Sequence, residues 1–324
     1  MGLADIHQYH PSKWALSNCD CVIMVGARLD NQMNFGNPPL FPKTLELICV
    51  NGSDEEIQMN RAADHLLLSH PGAFLDELSN FKNSLKANFE SNWLNKHLEL
   101  REHWVEETLR DLERKTSETS WNGTEVHPLQ LAIDVIESME SGNHLVFDGG
   151  NTHFWSEIAA NVVAQKGKNL ATIMHPGSFS LLGLGVSFAV SLKRIHPEDT
   201  VVLISGDGAF LSGGLSIELA FQEELPIVVI VDNNGGLDCI SQQQERMFQS
   251  GSHFATDFRD IPFHEMFKGL GGYGELVTER SEIKAAVERA INSNRTACIN
   301  VKTRGQISPI VAATSDKRDK SSIE

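Results

Sequence analysis

The chain has 324 residues, 41% hydrophobic and 22% charged, an ordinary balance for a globular protein and enough chain for about two domains. Its formal net charge of −16 repels polyanions, which argues against nucleic acid and anionic membrane as partners, and no apolar run reaches the roughly 20 residues that span a bilayer. An anionic ligand must therefore be held locally, by backbone amides, a metal ion or a few basic side chains. Cys19, Cys21, Cys49, Cys239 and Cys298 form no C-x-x-C pair and read as small buried hydrophobes in a reducing compartment. The opening MGLADIHQYH lacks a basic segment followed by an apolar one, so the expected location is the cytoplasm.

In chain order, residues 1–85 carry the aliphatic runs CVIMVG (21–26) and LELICV (45–50) and the weaker HLLL (65–68). Such runs, ending in Gly or Asn, predict parallel strands covered on both faces with helices between them. Residues 86–126 are charged, carry Trp93 and Trp104, and have the Glu/Arg spacings of one exposed helix followed by a polar linker, which places a domain boundary there. In residues 127–324, strands are predicted at HLVFDGG, VVLISGDG, PIVVIVDNNGG and ACINVKT. Helices are predicted at PLQLAIDVIESME, SLLGLGVSFAVSLKRI, LSIELAFQEE and SEIKAAVERAIN. This alternation predicts an α/β protein, a doubly wound parallel sheet preceded by a smaller, partial Rossmann-like α/β domain. The tail SDKRDKSSIE reads as a disordered segment or a lid.

Ligands of doubly wound sheets sit at the carboxyl ends of the strands, and three strands here end in loops of one kind: DGGNT (148–152), GDGAF (206–210) and DNNGG (232–236). Side by side, Asp207 offers an ionised oxygen, Asn234 an amide oxygen and Gly236 a backbone carbonyl, the hard donor set that Mg²⁺ or Ca²⁺ selects. Gly206 and Gly208 allow close backbone approach, and the amides of Gly208 and Ala209 at the start of the next helix can bind an anion. The expectation is a cation on Asp207 that bridges to a diphosphate.

An isolated GDG is a strand-to-helix turn with an Asp cap. Here Asn234 follows Asp207 by 27 positions, inside an NN pair with a carbonyl two residues on, and this spacing resembles the signature of thiamine diphosphate (ThDP) enzymes. SLLGLGVSFAV (180–190) is similar to the GTMGVGLGFAI segment of acetolactate synthase and 2-hydroxyacyl-CoA lyase type enzymes. That resemblance implies that the Ser180 carbonyl faces the aminopyrimidine and that Leu182 is the bulky residue forcing the bent cofactor conformation. DGGNTHFW (148–155) resembles the diphosphate-contacting segment, which implies roles for Asn151 and Thr152. VGARLDNQMNFGNPPLF (25–41) resembles the middle-domain motif of the lyase and oxalyl-CoA decarboxylase branch, where an ADP moiety can bind. Arg28 and Arg61 become candidate phosphate contacts for CoA, with a solvated or salt-bridged role as the alternative. Phe210, Leu237 and Met247 are expected to form an apolar wall near the thiazolium, and QQQERMF (242–248) falls where the family has a substrate-facing helix. His153, His175 and His253 read as local hydrogen-bonding residues, with His175 the best candidate for more.

The resemblance places the chain's start inside the middle domain, without the pyrimidine-binding domain whose glutamate activates the cofactor. The expectation is one subunit of a split ThDP- and Mg²⁺-dependent enzyme, a fragment being the alternative. That subunit self-associates and recruits a pyrimidine-domain subunit. Its reaction breaks or makes a C–C bond next to a carbonyl, most like a 2-hydroxyacyl-CoA lyase acting on an acyl-CoA. An acetolactate synthase or 2-oxo-acid decarboxylase, and a non-catalytic cofactor-binding subunit, are the alternatives.

Overall fold

The computed structural model describes residues 9–81, 92–117, 126–177, 180–248, 251 and 253–316. Two compact units result, Met1–Leu109 and Arg110–Glu324. Residues 86–91 and 118–125 of the predicted linker, and the tail from residue 317, lie outside the described residues. Among the described residues no helix is long and apolar enough to cross a membrane.

In the first unit the three aliphatic runs become parallel strands β1 (Cys21–Val25), β2 (Glu46–Asn51) and β3 (His65–Leu68), paired in that order. Leu47 and Cys49 of β2 pack with Leu29, Leu40, Phe41 and Leu45 in a small core. The expected cover on both faces fails at β3, which is exposed at all four positions. It is an edge strand, and the helix that follows, Pro71–Phe81, has no buried residue. The charged segment forms the helix Asn92–Ser117, but it is not exposed all round. His97 and Trp104, seven residues apart and so on one helix face, are buried. Trp104 meets Tyr9 edge-on at 4.8 Å, and Trp93 stacks on His97 at 5.9 Å.

The second unit holds a six-stranded, all-parallel sheet. Its strands are β4 (His144–Asp148), β5 (Thr172–Met174), β6 (Val201–Gly206), β7 (Ile227–Asn233), β8 (Tyr273–Val277) and β9 (Ala297–Lys302), in the order β5-β4-β6-β7-β9-β8. Every residue of β6 and β7 is buried, as the unbroken aliphatic runs require of central parallel strands. Side chains alternate in direction along a strand, so Val201, Leu203, Val229 and Val231 share one face, where Val186, Ala189 and Val190 of the helix Gly185–Ile195 pack against them.

That helix starts five residues later than SLLGLGVSFAVSLKRI predicts, because Ser180 (φ 51°) and Gly183 (φ 94°) sit in the left-handed region that an α-helix cannot include. Strand order locates the crevice. From β4 the chain goes outward to β5, then returns to the other side of β4 to build β6, so the connections leave β4 and β6 in opposite directions and a gap opens above their carboxyl ends.

Candidate functional site

A cleft of about 320 Å³ occupies that position, lined by the loops after β4, β6 and β7 and by the segment around Pro176 to Leu182. Asn151, Thr152, Ser180, Leu182, Gly206, Asp207, Gly208, Ala209, Asn234 and Gly236, scattered over 86 positions of sequence, all line it. The glycines are there for space. A Cβ on Gly206 would lie 2.9 Å from Thr152 Oγ1, and one on Gly208 would lie 2.5 Å from Leu237 Cδ2.

Asp207 is the centre of the arrangement. It is 3% exposed, and its Oδ1 accepts from Gly208 N at 2.7 Å while Oδ2 accepts from Gly235 N at 2.8 Å and Gly236 N at 3.1 Å. The loops after β6 and β7 are thus tied together through one carboxylate. Asn234 Oδ1 also accepts from Gly236 N, at 3.1 Å, closing an Asx turn. The Gly208 amide, expected from sequence to serve an anion, is taken by the Asp207 carboxylate. Burial first, and then the nearby Asp232 carboxylate, push the Asp207 carboxyl up to about 7 against the lowering effect of the three amides. Asp238, also in the lining, is pushed up to about 6 by burial, Asp232 and Glu245. Among the described residues, no lysine or arginine lines the cleft.

Two aspartates that the sequence reading passed over hold the walls. Asp148, 1% exposed at the end of β4, accepts from Gly183 N at 3.0 Å and Gly185 N at 2.7 Å. It therefore anchors the segment that carries Ser180 and Leu182. Asp232, at the end of the β7 core, accepts from Thr152 Oγ1 at 2.7 Å and from Thr303 Oγ1. The Thr152 hydroxyl is thereby directed inward, and Asn151 is likewise engaged, donating to Gln242 Oε1 at 2.9 Å and accepting from Ser308 N at 3.1 Å. Both line the cleft, and their side chains are held there by these protein partners. The signal for the two aspartates was present in the sequence: each is an acidic residue at the carboxyl end of an aliphatic run, DGG and VDNN.

Ser180 has φ 51°, where the resembling segment has glycine. A side chain in this region costs about 1–2 kcal/mol, so Ser180→Gly is expected to raise the unfolding midpoint. Scanning calorimetry checks this, and a lowered midpoint would contradict it.

The remaining candidates separate. His153 Nε2 lies 2.9 Å from Glu157 Oε1, His175 Nδ1 accepts from Gly177 N at 3.0 Å, and the two rings are 4.7 Å apart beside the cleft. Burial, then His153, lower the His175 pKa. His253 sits against Glu245 at 2.6 Å. Each histidine thus has a local partner. Leu237 lines the cleft as expected, but Phe210 does not: its ring packs against Phe263 at 5.6 Å and Phe267 at 5.9 Å inside the core. Met247 is exposed and outside the lining. In the first unit, Arg61 donates to the carbonyls of Gly36, Phe41, Pro42 and Leu45, a structural clamp and not a free phosphate contact. Arg28 reaches Glu56 at 3.5 Å on the surface.

A divalent cation and a diphosphate fit this donor set. A buried carboxyl held near neutrality is the group that a cation relieves, and Asp207 with Asn234 and Gly236 supplies oxygen donors of the kind Mg²⁺ takes.

Comparison with known proteins points the same way. Residues 148–301 match the model of the thiamine pyrophosphate enzyme C-terminal TPP binding domain, and residues 1–78 match that of the thiamine pyrophosphate enzyme central domain. The chain is 26% identical over 309 residues to a 2-hydroxyacyl-CoA lyase of Oryza sativa, covering 89% of this chain and 49% of that protein. It is also 26% identical over 291 residues to an acetolactate synthase large subunit of Mycobacterium tuberculosis, with the same shares of 89% and 49%. A solved thiamine diphosphate-dependent 4-hydroxybenzoylformate decarboxylase of Rhodococcus jostii superposes with a TM-score of 0.68 at 19% identity, over 92% of this chain and 54% of that one. The chain thus spans about half the length of the relatives it matches. With both of its units matched in family order and its cleft at the switch point of the sheet, the chain belongs to the thiamine diphosphate enzyme family.

Proposed function

We propose that this chain forms the diphosphate- and metal-holding part of a ThDP- and Mg²⁺-dependent enzyme of 2-hydroxyacyl-CoA lyase type, which breaks or makes a C–C bond next to a carbonyl. Asp207 carries the reading: a buried carboxyl joined by three backbone amides to two loops, in a cleft with no lysine or arginine among its described lining residues. A diphosphate there would meet Asp207 and Asp238 without counter-charge unless a cation came with it. Asp207, Asn234 and Gly236 would hold that cation.

Bound ThDP supplies the electron sink for the bond change. The chain's own residues position it. Asp148 fixes the segment that presents the Ser180 carbonyl and the Leu182 side chain, and Asp232 fixes Thr152. Leu182, Leu237 and Ile240 make part of the lining apolar.

The lyase reading rests on the VGARL…FGNPP stretch and on relatives named 2-hydroxyacyl-CoA lyase. An acetolactate synthase or 2-oxo-acid decarboxylase is the second reading, favoured by acetolactate synthase relatives of equal identity. A cofactor-binding subunit without catalysis is the third. In the first two readings, the aminopyrimidine half of the site comes from residues outside these 324. CoA binding by the first unit is part of the lyase reading, with Arg28 its remaining candidate.

Turnover tests the choice. With the pyrimidine-binding half present, the expected result is aldehyde release from a 2-hydroxyacyl-CoA well above carbon dioxide release from a 2-oxo acid. The reverse ratio selects the second reading, and tight ThDP binding without turnover selects the third.

A further inference from the structure

Three residues that the cofactor site does not use converge at the opposite, amino-terminal end of the large sheet. His144 opens β4, and His196 and Asp199 lie between the helix Gly185–Ile195 and β6. His144 Nε2 is 3.0 Å from Asp199 Oδ2, His196 Nδ1 is 3.7 Å from the same oxygen, and the two rings stack with centroids 4.3 Å apart. One ligand atom from each residue lies within 4.8 Å of the other two.

We propose that His144, His196 and Asp199 bind a divalent transition-metal ion of the zinc class, with water completing a four-coordinate shell. Bonds of about 2.0–2.2 Å at tetrahedral angles put ligand atoms about 3.3–3.6 Å apart, and the observed 3.0 and 3.7 Å bracket that range. Two imidazoles and one carboxylate suit zinc-type ions, whereas Mg²⁺ and Ca²⁺ prefer an all-oxygen shell.

The frame stands ready without the ion. His144 is 1% exposed and its amide donates to Thr200 O at 3.0 Å, while Thr200 N donates to Asn143 Oδ1 at 3.1 Å. Lys193 Nζ donates to the Asp199 carbonyl at 2.8 Å. His144 Nδ1 is buried without a partner, so the ring's side-chain polar contact is directed into the cluster. The side chains of His196 and Asp199 are 41% and 45% exposed, which leaves the site open to an ion and to water. A bound ion would tie the start of β4 to the turn that enters β6, the two strands whose far ends carry the cofactor loops.

A second cluster, His153, Glu157 and His175, has similar ligand spacing but a worse proton arrangement. His175 Nδ1 already accepts the Gly177 amide, which puts the neutral ring's proton on Nε2, where a metal would need a lone pair. It serves as the internal control.

The experiment is calorimetric titration of Zn²⁺ into the chelator-stripped chain without ThDP, repeated with Co²⁺ to read the visible absorption of tetrahedral coordination. The expected result is a Zn²⁺ site whose affinity falls by at least about 10-fold in His196→Ala and in Asp199→Asn, with the Co²⁺ band lost in both and kept in His175→Ala. Both substituted side chains are partly exposed, and circular dichroism checks that the variants fold. No Zn²⁺ binding by the parent, equal affinity in parent and variants, or loss in His175→Ala alone would overturn the proposal. None of these readouts depends on the ThDP reading.

Discussion

Asp207→Ala is expected to lower ThDP affinity in the presence of Mg²⁺ by roughly 100-fold or more, with far-ultraviolet circular dichroism unchanged. The substitution removes the only formal charge among the three proposed metal donors. Asn234→Ala is expected to weaken binding less, because its amide contributes a dipole and no charge. The Asp207 carboxyl also leaves a pH signature. Burial and Asp232 hold it at about 7 in the folded chain, whereas in the unfolded chain it releases its proton near pH 4, about the ordinary value. Between those limits the folded, cofactor-free state keeps a proton that the unfolded state has lost. The stability this group contributes is therefore full below about pH 4 and is lost as pH rises through about 7. Asp207→Asn lacks that component, so between pH 4 and 7 its unfolding free energy should fall less steeply than the parent's, by up to about 1.4 kcal/mol per pH unit. Cation binding needs the ionised form, so Mg²⁺-dependent ThDP affinity should rise with pH and level off above about 7. Denaturant titrations and calorimetry across this range measure both. Undiminished ThDP affinity in Asp207→Ala would remove the metal assignment, and parallel stability slopes would remove the burial argument.

Much of the site was legible because it is built from strand ends. An aliphatic run followed by Gly, Asp or Asn reports both a buried parallel strand and the loop that a doubly wound sheet turns toward its ligand, and Asp207, Asn234 and Gly236 were found that way. The short edge strands were not. β5 is three residues of partial burial, and β8, YGELV, carries Gly and Glu, both poor strand formers. Side-chain direction was illegible too. Phe210 follows GDGA and reads as a neighbour of the cleft, but the helix Asp207–Gly213 turns it into the core toward Phe263 and Phe267. Arg61 lies near the apparent ADP motif, and only the tertiary fold brings four carbonyls around its guanidinium. Asp148 and Asp232 escaped notice because their partners, Gly183, Gly185, Thr152 and Thr303, lie 35 to 80 positions away.

Purified alone, these 324 residues are expected to bind ThDP weakly and to show no turnover, whereas tight binding and turnover are expected when the pyrimidine-binding half is supplied. The chain matches about half the length of its relatives, and the donor set of its cleft fits a diphosphate and a cation. The two acids among the described lining residues already have hydrogen-bond partners: Asp207 accepts from the amides of three glycines and Asp238 from Gln242. Leu181, Leu182, Leu211, Leu215 and Leu219 are all exposed, with Leu215 at 81%. The segments carrying Leu182 and Leu211 meet where Gly183 and Gly213 approach so closely that a Cβ on Gly213 would strike the Gly183 carbonyl. Exposed leucines around a ligand site mark a surface that a partner covers. We propose that the chain self-associates and that the pyrimidine-binding half joins the same assembly. Mass photometry and a 2-hydroxyacyl-CoA cleavage assay, run with and without the co-expressed product of the adjacent reading frame, measure both expectations. Replacing Leu215 and Leu219 with serine should weaken assembly while leaving the core intact, since both side chains are exposed in the single chain. Full activity from the chain alone would place the activating acid within these residues and end the reading that the pyrimidine-binding half lies outside them.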